Sequence, residues 1–173
     1  MIPKPIIFAT FVQTLNPNAM LVNFTFQNFR SFRDEKTLSM EAGSIKELKE
    51  SVIQKESYRL LPTAVMYGAN SSGKSNVLLA LMTMRMSCWA CPSWTLPMNY
   101  ISAFQVGFDL GQCSDFFWNP IPAGRCKYRY GFDYDKTHIC KEWLYEKCAG
   151  QREFNLFLRV DNEFEVSKTR FPE

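Results

Sequence analysis

Histidine is nearly absent from this sequence, with His138 the only one among 173 residues. No histidine pair can form, so metal-dependent hydrolases lose their usual ligands. A lone histidine beside a turn is an ordinary surface residue and is assigned no role. No Gly-x-Ser-x-Gly elbow or Ser/His/Asp set is legible, which argues against serine-nucleophile hydrolases. Long hydrophobic runs are missing too: no run approaches the ~18 apolar residues of a membrane span. Ile6 to Val12 is apolar and follows Lys4, but it is short and no small-residue cleavage site clearly follows, so no signal peptide is expected. Neither sign of charge dominates. Twenty basic and 17 acidic residues leave a formal net charge of +3, too little for the footprint of a dedicated nucleic-acid binder. A DNA or DNA-processing partner is therefore unsupported by charge. The length suits one domain, burying roughly 70% of its unfolded surface.

Against these absences stands one specific motif. Gly68-Ala69-Asn70-Ser71-Ser72-Gly73-Lys74-Ser75 matches the phosphate-binding P-loop, or Walker A, pattern Gly-x-x-x-x-Gly-Lys-Ser/Thr at every fixed position. The glycines let successive backbone N–H groups converge on phosphate oxygens, and a following helix adds the positive end of its dipole. Lys74 is the expected partner of the β- and γ-phosphates and Ser75 the expected Mg²⁺ ligand. The motif also demands a buried strand before it and a helix after it. Thr63 to Tyr67 and Asn76 to Met82 are both strongly apolar, and are expected to supply them. The alternative, a Gly/Ser-rich surface turn, has no need of apolar flanks.

Nucleoside triphosphate chemistry belongs to the cytosol, so a cytoplasmic location is expected and the six cysteines are expected to be reduced. Cys88 and Cys91 form a Cys-x-x-Cys pair, to which Cys113, Cys126, Cys140 and Cys148 are possible additions in a zinc site. No second pair has a recognised ligand spacing, and incidental thiols are the favoured reading.

Val22, Phe24 and Phe26 alternate with polar residues, as do residues of Thr37 to Glu41, predicting two antiparallel strands joined through Arg30–Glu35. Ser44 to Ser57 is polar and reads as a surface loop or short helix. From Lys127 onward four alternating runs predict an antiparallel meander: Tyr128–Tyr134, a turn at Asp135-Lys136, His138–Tyr145, Phe154–Val160, and Phe164–Val166 after an Asp161-Asn162 turn. Aromatics at period two are read as cross-strand packing rather than as a base-stacking platform.

Taken together, Asn28-Phe29-Arg30-Ser31-Phe32, the loop Gly68 to Asn76, and the blocks around Tyr128–Phe132 and Glu142–Tyr145 resemble the start of ABC-type ATPases of the RecF/SMC kind, in particular the AAA15-like and OLD-like ATP-binding proteins. The resemblance implies a mixed α/β (α+β) fold: a P-loop NTPase lobe with an antiparallel β-subdomain. It implies ATP and Mg²⁺ as ligands, places Arg30 and Ser31 near the nucleotide, extends the loop to Asn76, and allows a homodimer formed through the nucleotide in a full-length protein. It also implies ATP hydrolysis by the complete enzyme. The departures matter as much: no downstream apolar strand ends in Asp-Glu (Walker B), and no signature helix or switch histidine is legible. The chain is therefore expected to be the N-terminal part of a longer ATPase, binding nucleotide but turning it over poorly. The alternative is a truncated, non-catalytic interaction or regulatory fragment.

Two stretches look foreign to that pattern. Residues 1–19 read as an extension before a domain spanning 20–173. Residues 86–126 are rich in tryptophan and cysteine and poor in charge. Codons compatible with Phe117 to Cys126, read one base later, encode an alternating strand leading into Lys127, so a compensated frameshift is one reading. An aromatic insertion covering the sheet is the other.

Overall fold

The computed structural model describes residues 20–44, 49–55, 58–89, 111–118, 126–134 and 139–169. Residues 1–19, the Asp135-Lys136 turn, His138 and much of the 86–126 stretch lie outside them.

The alternation after Leu21 forms strand β1 (Asn23–Gln27), which pairs antiparallel with β2 (Lys36–Ser39). Phe24 and Phe26 are fully buried on one face, while Thr25 and Thr37 join their hydroxyls across the pair at 2.9 Å. A 3-10 turn (Lys49–Ser51) and a small hairpin, β3 (Ile53–Lys55) with β4 (Tyr58–Leu60), follow. Helix α1 (Lys74–Trp89) precedes β5 (Gly111–Trp118), β6 (Cys126–Tyr134), β7 (Ile139–Cys148), β8 (Phe154–Val160) and β9 (Glu163–Val166). The last four strands are the meander that the alternation predicts. Among the described residues, seven strands form one sheet in the order β2-β1-β5-β6-β7-β8-β9, each neighbour antiparallel. Mixed helix and antiparallel sheet make the architecture α+β.

Helix and sheet share one core. Phe24, Phe26 and Phe29 meet Tyr130, Phe132 and Tyr134 of β6, Leu144 and Leu156, with Ala80 and Met84 of α1 lying against them. Ala80 and Met84 are four apart, hence on one side of the helix. Leu78 and Met82 remain about half exposed, because α1 is apolar nearly all round and the sheet covers one side. On the opposite face of the sheet, Trp143 lies over Gly131. A Cβ at Gly131 would sit 2.6 Å from the indole, so the close approach requires glycine.

Three expectations are corrected. Residues 63–67 form no strand; Val65 is 67% and Tyr67 91% exposed. Apolar residues alone do not make a strand: backbone groups need a ladder, and the described sheet supplies no neighbour for this segment. Secondly, residues 111–118 of the 86–126 stretch do not cover the sheet. Instead β5 lies within the sheet, between β1 and β6. Lastly, Cys126 and Cys148 are not reduced but joined by a disulfide across β6 and β7, because the strand register places them directly opposite each other.

A buried polar group ties the meander together. Glu142 accepts a hydrogen bond from the Tyr130 hydroxyl at 2.7 Å and one from Arg159 Nε at 3.1 Å. Burial pushes the Glu142 carboxyl above its usual range, against the opposing pull of the Tyr130 hydrogen bond and the Arg159 charge. The folded chain thus holds this proton more tightly than the unfolded chain. That contribution to stability is fully present below the ordinary glutamate value and is lost as pH rises through the raised one. Thermal unfolding across that range should show the stability of wild type relative to Glu142→Gln falling as pH rises; a flat difference would contradict the assignment.

Candidate phosphate-binding site

The tip of the β1–β2 hairpin is a two-residue turn. Phe29 and Phe32 exchange both backbone hydrogen bonds at 2.9 Å, and Asn28 N–H donates to Arg33 at 3.2 Å. Arg30 and Ser31 project between them. Arg30 holds a left-handed backbone at φ 51°, a region a non-glycine side chain enters at a cost of about 1–2 kcal/mol. The flanking phenylalanines hold the tip in place: Phe29 is fully buried, and the Phe32 ring meets Phe26 edge-on at 5.1 Å.

Gly73 lies against this tip. A Cβ at Gly73 would come within 2.8 Å of the Phe32 ring and 3.0 Å of Ser31 Oγ, and its φ is +91°. Both the space and the backbone therefore demand glycine. One turn into α1, Asn76 Nδ2 donates to Ser31 Oγ at 2.8 Å. The Ser31 and Asn76 sequence candidates are thus bonded across 45 residues of chain.

Residues 63–67 do not supply the strand that the motif demands before it, but the loop's own groups suit an anion. Ser71 is left-handed at φ 63°, the kind of local strain that gathers at ligand clamps. Asn76 and Val77 N–H groups are taken by Gly73 carbonyl at 2.8 and 3.2 Å, so the ladder of α1 begins after Lys74 and Ser75. Those earlier N–H groups lie at the positive end of the dipole. The first turn of α1 holds no acidic residue. Lys74 folds over the loop and donates to the carbonyls of Gly68 and Ala69 at 2.8 and 2.6 Å. Gly68, Ala69, Asn70, Ser71 and Ser72 are exposed, as is Ser75. These groups fit a Mg²⁺-triphosphate: an ammonium folded over the loop, a hydroxyl on the first helical turn, backbone donors and no competing carboxylate in that turn.

Each P-loop candidate is therefore gathered at the start of α1, and Ser31 is bonded to it. Arg30 stacks on the Phe29 ring, with its guanidinium 5.9 Å from the centroid. Sequence reasoning missed the part played by Phe32, whose ring meets Gly73. Its signal was present: two phenylalanines flanking a polar pair make a two-residue turn with an apolar footing.

Comparison with protein-family models, with curated proteins and with solved structures finds no match to this chain. Among the described residues no helix is long and apolar enough to cross a membrane.

The seat at Gly73 is directly testable. Gly73→Ala should lower stability by at least about 1–2 kcal/mol from backbone conformation alone, measured by denaturant unfolding. Ser31→Ala and Asn76→Ala should each lose about 0.5–1.5 kcal/mol and be non-additive in a double-mutant cycle. Full additivity would show that their bond carries no energy.

Proposed function

We propose that this chain binds ATP as its Mg²⁺ complex, with Gly68 to Asn76 cradling the phosphates. The observation that carries the reading is the loop's setting: an acid-free helix N-terminus, preceded by a glycine that no other residue can replace, with the Lys74 ammonium folded over the loop. Lys74 would neutralise the terminal phosphates and the Ser75 hydroxyl would hold the metal. Bound Mg²⁺ supplies charge neutralisation between phosphates. Arg30 and Ser31, on a tip fixed to the same loop, would contact the nucleotide from the hairpin side.

The resemblance to RecF/SMC-type ATPases supports reading the chain as the P-loop-bearing part of an ABC-type ATP-binding lobe, cytoplasmic, whose full-length form pairs with a second copy through the nucleotide. Binding is proposed rather than turnover by this chain. Phosphoryl transfer needs a group to orient the attacking water, and the sequence downstream of the loop has no apolar strand ending in Asp-Glu.

A second reading, an interaction module with little nucleotide affinity, draws on the exposed apolar residues Val65, Tyr67, Leu78 and Met82 on either side of the loop. Calorimetric titration separates the two. Under the first, Mg·ATP binds wild type and Lys74→Ala abolishes the heat. Unchanged affinity in Lys74→Ala, or no heat with wild type, would sink the ATP reading.

A further inference from the structure

The pairing of β6 with β7 places Cys126 opposite Cys148, and Tyr128 opposite Glu146. Residues two apart on a strand share a face, so both thiol positions and the Glu146 carboxylate lie on one side of the sheet. The Sγ atoms of both cysteines and a Glu146 oxygen all fall within 4.8 Å of one another. Glu146 is buried and the two cysteines half-buried. The Tyr128 hydroxyl donates to Glu146 Oε1 at 2.8 Å, an outer hydrogen bond of the kind that orients metal-ligating carboxylates. Lys127 and Lys147 are one residue along each strand, on the opposite face, so neither ammonium competes for these donors.

We propose that Cys126, Cys148 and Glu146 form a redox-gated binding site for a borderline-soft divalent cation of the Zn²⁺ class. Two thiolates and one carboxylate are a donor set that Zn²⁺ accepts, with water completing the fourth position. The Cα atoms of Cys126 and Cys148 stand 3.8 Å apart. That spacing lets two sulfurs reach one ion through bonds of about 2.3 Å. The disulfide is the oxidised, metal-free form of the site. A dithiol reductant opens it: its thiolate attacks one sulfur, the S–S bond breaks, and the reductant leaves as its own disulfide. Two electrons and two protons are thereby delivered to Cys126 and Cys148. Zn²⁺ then displaces the two thiol protons, so binding weakens with acidity. The site is independent of the nucleotide reading.

The test uses the full chain, reduced with a phosphine, loaded with Zn²⁺ and desalted, with bound metal measured by mass spectrometry. Cys148→Ser should lose one Zn²⁺ per chain relative to wild type, and Cys140→Ser should lose none. Glu146→Gln, which keeps the shape of the side chain, should weaken binding at least about tenfold. Cobalt in place of zinc should give a thiolate charge-transfer band in wild type that shrinks in Cys148→Ser. Oxidation with diamide should release the metal. Wild-type stoichiometry retained in Cys148→Ser, or no zinc bound by the reduced wild type, would overturn the proposal.

Discussion

The contact on which the rest of this structure depends is the seating of the β1–β2 tip against Gly73. Phe29 is inserted in the core and Phe32 is braced on Phe26, so Arg30 and Ser31 are carried on a fixed support. Gly73 then fits where no Cβ can, and Asn76 fastens the first turn of α1 to Ser31. A loop that wraps an anion must be pre-organised without being closed. Here the exposed loop is held at its C-terminal end by packing against an aromatic hairpin, and residues 68–72 stay open to solvent.

The same contact links the site to the core. α1 lies on the sheet through Ala80 and Met84 while β1 contributes Phe24 and Phe26, so helix and hairpin meet the same apolar layer. Shifting either would move the loop relative to its tip. The meander extends that layer from β6 outward, and the buried Tyr130–Glu142–Arg159 group joins its strands at a point where an unpaired carboxylate would be costly.

Much of this was legible in the sequence. Alternation located β1, β2 and the meander because each has one buried and one more exposed face, which leaves a period-two trace. The Gly68–Ser75 motif was legible because the pattern it matches sets residue types at fixed spacing. That residues 63–67 form no strand was not legible, because apolar text does not name a pairing partner, and the described sheet offers this segment none. The disulfide was hidden by register. A two-residue turn at Asp135-Lys136 would pair Tyr134 with Thr137, whereas Tyr134 pairs with Ile139. That displacement, with the irregularity at Asp133/Tyr134, brings Cys148 opposite Cys126.

The central claim, that hairpin tip and loop form one triphosphate site, is tested most directly by amide hydrogen exchange with and without Mg·ATP. The account predicts slower exchange in two separate stretches, residues 28–33 and 68–76, with little change in β7 and β8. Protection absent from both stretches at saturating nucleotide, or confined to a distant part of the sheet, would contradict it.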